Sequence, residues 1–334
     1  MGIARTCGEC VPRPARRVYA PHWWKCTNGT MVVVGTTSSG LLMRWSLHPL
    51  CDRLIVPDTG EPLEWTNGNL ISATGKQHVE LDRGEIPVLL PSSMNAVEYH
   101  FAEHYQRDAE HFDYWEERDP ATAHDERRLR EVIVRKIPRN ANLVLDVGCG
   151  NGWLAQMLVE RGVHVCSLDV GRVNPRRALE QVPDPRHVAV VGSAEHLPFA
   201  DETFDCVVAS EVIEHLPEPE RALEQMWRVV KPGGRVIIST PYRERIRYVL
   251  CIHCNQPTPI HAHLNSFDEY RLSMYLRQAH FGFVTVGNKA LLLLRTHIVL
   301  GWLPHCLWRA IDWCANRLIG KPAHIIAWWD KSQH

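Results

Sequence analysis

From residue 143 to residue 239, continuous apolar segments alternate with helical patterns, and this restricts the chain more than any other feature. Residues 143–147, 164–168, 188–191, 204–209 and 235–239 are strand-like runs. Leu154, Met157 and Leu158 mark a helix that Gly162 stops. Leu223, Met226, Trp227 and Val230 fall at i, i+3, i+4 and i+7, a helix closed by Lys231-Pro232-Gly233-Gly234. Apolar strands without polar alternation are covered on both faces, and strands joined through helices run parallel. The fold class is therefore α/β, with a mostly parallel sheet. Later strands are expected at 283–286 and 323–328, and Ser266 followed by Glu269 predicts a capping box that opens a helix.

The 334 residues are enough for about two domains. Residues 1–50 hold six Lys/Arg and one acid, show no clear period, and read as a poorly ordered leader. Residues 51–92 are short apolar runs separated by turn signals such as Asn67-Gly68 and Asp82-Arg83-Gly84, a small β module rich in hairpins. Residues 93–140 form a helical segment whose second helix ends before Pro138. The remainder, 141–334, is the alternating domain. A net charge of −1 removes any chain-wide basic field, so no nucleic-acid partner is expected. Eleven cysteines are too few for a disulfide scaffold at this length, and the first twenty residues lack an apolar run. A cytoplasmic protein with reduced thiols is expected.

The segment Leu145-Asp146-Val147-Gly148-Cys149-Gly150-Asn151-Gly152 follows a strand and opens a helix. Glycines there admit a ligand close to the backbone, and the helix start offers unpaired N–H groups. Asp169 ends the second strand, where a carboxylate accepts hydrogen bonds from ribose hydroxyls. The glycines at 148, 150 and 152 depart from the G-x-G-x-x-G spacing that wraps a pyrophosphate. With 191–199, 204–210 and the Lys231–Gly234 turn following in order, the chain resembles the class I S-adenosylmethionine-dependent methyltransferases. It is similar to the type 11 branch that includes quinone-biosynthesis methyltransferases.

That resemblance implies a seven-stranded Rossmann-like methyltransferase sheet with S-adenosyl-L-methionine as cofactor. Asp146, Gly148, Cys149 and Gly150 would hold its amino-acid end, Asp169 its ribose, and Val170, Ser193 and Ala194 its adenine. Ser193 stands where the family usually has Asp. Ser210 and Glu211 would complete the pocket. In Glu211-Val212-Ile213-Glu214-His215, the resemblance to ubiquinone-pathway O-methyltransferases implies a divalent cation such as Mg²⁺ on Glu211, Glu214 and His215. The alternative is catalysis by His215, with Glu214, as general base, since an imidazole with a pKa of about 6.5 suits neutral pH. Cys251, Cys254, His261 and His263, in an insert at 251–263, have residue types that suit structural Zn²⁺, with His253 the alternative to His261 as fourth ligand.

Residues 51–92 resemble the Trm112-like zinc-ribbon family, with Val56 and Thr59 where its cysteines would fall, so that the metal is lost. In a helical insert at 296–320, Leu307, Ile311, Cys314 and Leu318 form an apolar stripe. The helix either packs on the sheet or contacts a membrane surface peripherally through 304–320. The expected function is methyl transfer to a small-molecule or lipid/quinone-like acceptor, with oxygen preferred. The alternative is a non-catalytic binding partner with a vestigial cofactor site.

Overall fold

The computed structural model describes residues 44–46, 48–92, 101–113, 115–252 and 255–333. The expected leader lies outside them up to residue 43. In chain order the elements begin with four short strands: β1 (Leu63–Thr66), β2 (Asn69–Ser72), β3 (Leu81–Asp82) and β4 (Ile86–Leu89). Helices α1 (Phe101–His111) and α2 (Pro120–Lys136) follow. The alternating part comprises β5 (Leu143–Val147), α3 (Trp153–Val159), β6 (His164–Asp169), α4 (Val173–Gln181), β7 (His187–Gly192), β8 (Phe204–Ser210), α5 (Pro219–Val229) and β9 (Val230–Pro241). Then come β10 (Tyr248–Leu250), β11 (Pro257–Pro259), α6 (Glu269–Ser273) and β12 (His280–Asn288). The chain closes with α7 (Lys289–Leu293), α8 (His297–Leu300), α9 (His305–Ile319) and β13 (Pro322–Asp330).

The principal sheet has the order β12-β13-β9-β8-β5-β6-β7-β4-β3. Seven of its strands are the expected set. β5 pairs in parallel with β6 and β8, and β13 runs antiparallel to both β9 and β12. Every residue of β5 and β7 is buried, which is why these runs show no polar alternation. Helix α2 starts on Asp119, whose side chain accepts from the Ala121 and Thr122 amides, and it stops at Lys136, ahead of Pro138 as expected. Helix α6 is capped two residues later than the sequence suggested: Asp268, not Ser266, accepts the Arg271 amide at 2.9 Å.

Part of the 51–92 β module joins the principal sheet. β4 adds to the sheet beside β7 in parallel, with Val88 opposite Val191, and β3 forms the outermost strand. Leu54, Val56, Leu63 and Leu70 are buried in the same cluster as Phe199 and Leu168. The backbone is stitched across as well, by Ile55 N–H to the Pro198 carbonyl at 3.1 Å and Ala200 N–H to the Arg53 carbonyl at 2.8 Å. Arg176 forms a two-point ion pair with Asp82. Val56 is a core residue.

Helix α9 packs with the reverse of its expected polarity. Trp308, Asp312 and Ala315 are buried, while Leu307, Ile311 and Leu318 of the apolar stripe are exposed. Asp312 tolerates burial because Arg309 and Asn316 reach it, although burial raises its pKa to about 6. Trp308 lies beneath the Arg128 guanidinium, 5.0 Å from its ring centre. Arg128 in turn donates to the Leu300 and Leu303 carbonyls at 2.9 and 2.7 Å. Among the described residues no helix is long and apolar enough to cross a membrane.

Candidate functional site

Parallel strands end together, so their carboxyl ends gather the loops that carry chemistry. Here Val147, Asp169, Gly192 and Ser210 end four neighbouring strands. A cavity of about 270 Å³ opens at this edge. Its lining includes the expected Gly148, Gly150, Asp169, Val170, Ala194, Glu211 and His215, and adds Tyr105, Asn174 and Val212.

The glycine loop is shaped by steric need. Gly148 has φ of +68°, and a Cβ there would stand 2.5 Å from Val212 Cγ2. Gly152 begins α3 in the left-handed region, at φ +67°. The Gly148 and Cys149 amides both donate to the Leu168 carbonyl, at 2.8 and 3.0 Å, so these two N–H groups fix the loop to β6. Asp169 accepts from the Gly171 amide at 3.0 Å and from Asn174 Nδ2 at 3.1 Å. Burial raises its pKa, while these donors favour the charged form. The Gly150 and Val170 amides act on it in the same sense.

Glu211 sits at φ +56°, a conformation uncommon for a non-glycine residue, directly after β8. Its Oε1 accepts from Ser239 Oγ at 2.9 Å, and its Oε2 lies 3.2 Å from His324 Nδ1. His324 Nε2 lies 3.0 Å from Asp125 Oδ2. Burial opposes ionisation of Glu211, but the His324 cation and the Ser239 hydroxyl overcome it and hold the carboxylate below its ordinary range. Burial alone would lower His324, and the two carboxylates raise it instead. Asp125, His324 and Ser239 are site residues that sequence reasoning missed, since they come from three separated elements. Tyr105 and Asn174 were missed for the same reason.

Several expected ligands lie behind the cavity wall. Ser193 is buried, and its Oγ accepts the Glu195 amide at 3.2 Å within its own turn. Ser210 Oγ pairs with Ser239 Oγ at 3.0 Å. The Cys149 thiol is fully buried in the core, where desolvation raises its pKa. Asp146 is buried, does not line the cavity, and is raised to about 7 by burial and by the neighbouring Asp169. Its Oδ2 has no hydrogen-bond partner.

The expected metal sets are rearranged. Glu214, His215 and His263 bring three ligand atoms within 4.8 Å of one another. Glu211 belongs instead to the His324 pair. Both Glu214 carboxylate oxygens are buried without a hydrogen-bond partner, which favours the neutral acid. Burial and nearby Glu211 push the Glu214 pKa well up. His215 falls to about 4 through burial and the neighbouring His263, whose ring centre is 4.7 Å away. It is therefore neutral near pH 7 and a weaker base than its ordinary pKa suggested. Of the proposed zinc set, His263 binds Glu244 and joins the Glu214 cluster, while Cys251 and His261 are not in that cluster. Cys254 lies outside the described residues.

Residues 145–238 match the family model described as a methyltransferase domain. Over 136 residues the chain is 36% identical to the ubiquinone biosynthesis O-methyltransferase of Pseudomonas entomophila (strain L48), covering 39% of this chain and 57% of that relative. It is 35% identical over 113 residues to the enzyme of the same name from Aeromonas salmonicida (strain A449), covering 33% and 47%. The chain thus spans about half the length of the curated relatives it matches. Among solved structures, phosphoethanolamine N-methyltransferase 2 of Haemonchus contortus in complex with S-adenosyl-L-methionine aligns with a TM-score of 0.46 at 15% identity, over 69% of this chain and 60% of that one. The matched residues include the glycine loop, Asp169 and Glu211.

Proposed function

We propose that the protein transfers a methyl group from S-adenosylmethionine to an oxygen of a small-molecule or lipid/quinone-like acceptor. The observation that carries this reading is the cavity itself, in which a glycine loop that excludes a Cβ faces two carboxylates, Asp169 and Glu211. Asp169 is placed to accept the ribose hydroxyls, and Val170 and Ala194 provide apolar contact for the base. The ionised Glu211 offsets the cofactor's positive charge. The cofactor supplies an electrophilic methyl group on a sulfonium. The protein's work is then to hold donor and acceptor in line and keep water out, which the apolar walls of Leu168, Val212 and Leu216 favour.

Neutral His215, at the cavity wall, is the group positioned to orient or accept an acceptor proton. A divalent cation on Glu214, His215 and His263 would remove the need for a strong base by stabilising the deprotonated acceptor oxygen. Structural zinc at Cys251, Cys254, His261 and His263 is the competing reading, since both metal sets claim His263, and elemental analysis of the purified protein tests it. The Trm112-like 51–92 segment is proposed to cover the β7 edge of the sheet.

Calorimetric titration with S-adenosylhomocysteine tests the central reading. Binding is expected for the native chain, and Asp169→Ala is expected to weaken it about tenfold or more through loss of charge-assisted hydrogen bonds. Absence of binding by a folded native chain would overturn the methyltransferase reading and favour a vestigial site, which the inward-turned Ser193 also fits.

A further inference from the structure

Residues 289–321 leave β12 at Asn288 and return at the start of β13. Because β12 lies parallel to β9 through the antiparallel β13, this insert emerges from the carboxyl edge of the sheet. The same edge carries Asp169 and Glu211. The insert is anchored rather than loose. Arg128 holds the Leu300 and Leu303 carbonyls, Arg127 donates to the Gly301 carbonyl at 2.9 Å, and His305 pairs with Glu131 at 3.0 Å. Its outer surface is apolar all the same. Leu293, Leu294, Val299, Trp302, Trp313 and Leu318 are each more than 60% exposed, with Trp302 at 89%.

A chain normally keeps so many large apolar side chains exposed within one segment only where something covers them. Charge indicates what does so. Lys289, Arg295, Arg317 and Lys321 are exposed, and none forms an ion pair among the described residues. The one acid in 289–321, Asp312, is buried against Arg309. A second copy of the chain would bring two surfaces of the same positive sign together across a two-fold interface. An anionic bilayer instead matches every element: cations for the headgroups, tryptophans for the interface, and leucines for the acyl boundary.

We propose that the 289–321 insert is a docking platform for anionic phospholipid membranes, on which the protein lies without spanning. The hairpin β10–β11 follows β9 at the same edge and exposes Tyr248, Leu250 and Ile252 as a second apolar projection. Docking therefore turns the cavity's edge of the sheet toward the bilayer, which suits an acceptor drawn from lipid. This last step rests on the methyl-transfer reading, whereas the docking itself does not.

The test is co-sedimentation of the full chain with phosphatidylcholine vesicles, with and without phosphatidylglycerol, alongside S-adenosylhomocysteine titration of every variant. Binding is expected to the anionic vesicles. It should weaken about tenfold in the paired substitution Arg295→Glu, Arg317→Glu and also in Trp302→Ser, Leu294→Ser, with nucleoside affinity unchanged in both. Failure of the native chain to pellet with anionic vesicles overturns the platform, as does equal pelleting of both variants. A concentration-dependent dimer abolished by the Trp302 variant, without vesicle binding, also overturns it and assigns the surface to self-association. Loss of nucleoside binding with vesicle binding intact counts against the methyltransferase reading alone.

Discussion

His324 Nδ1 stands 3.2 Å from Glu211 Oε2, joining the first residues of the last strand to the cavity wall. The pair keeps a carboxylate charged in the cavity wall. Replacing His324 with Phe removes the countercharge and the link to Asp125. Breaking a buried pair of this kind costs about 3 kcal/mol. S-adenosylhomocysteine affinity should also fall about tenfold, read by calorimetry together with thermal melting. A His324→Phe variant with native affinity and native melting would remove Glu211 from the proposed charge-balancing role.

Gly148 and Val212 test the loop geometry. Gly148→Ala places a methyl group 2.5 Å from Val212 Cγ2 at a φ that alanine resists. The expected cost exceeds about 1 kcal/mol and shows in both melting temperature and nucleoside binding. Val212→Ala in the same chain relieves the clash but not the φ strain, so a partial return is expected. A double variant no better than the single one would show that contact with Val212 is not the constraint.

His187 sets an acid limit on stability. Its ring is wholly buried, with Nε2 2.9 Å from Ser167 Oγ and Nδ1 3.0 Å from the Val182 carbonyl, and burial lowers its pKa to about 4. The folded state therefore holds the neutral ring, and the unfolded chain takes up a proton near pH 6.5. Stability is fully present above that value and declines as pH falls toward 4, by up to about 3 kcal/mol. Urea unfolding at a series of pH values should show this decline flattened in His187→Gln.

Leu54 asks whether residues 51–92 fold separately. It is fully buried and contacts the common core. Leu54→Ala should lower stability by about 2–5 kcal/mol and shift a single calorimetric transition. A separate, low-temperature transition that alone responds to the substitution would restore an independent module.

The seven expected strands and the glycine loop were legible, because continuous burial and positive-φ glycines leave direct marks in sequence. Asp169, Ala194 and Glu211 line the cavity. What could not be read depended on partners distant in the chain. Ser193 had a plausible hydroxyl, but its own turn claims it. Asp312 looked like a surface acid until Arg309 and Asn316 surrounded it, and that inversion sent the α9 stripe outward. His263 was read with nearby cysteines, whereas folding brings it to His215. The 51–92 segment carried real hairpin signals, yet nothing local announces that one strand will pair with β7.

That pairing has a consequence for how the protein behaves on dilution. A cover supplied by a separate subunit would dissociate as concentration falls, leaving unsatisfied amides along β7. Here it is tethered to the strand it protects, so its occupancy is independent of how much protein is present. The two-residue β3 that ends the row also offers almost no template for edge-to-edge aggregation.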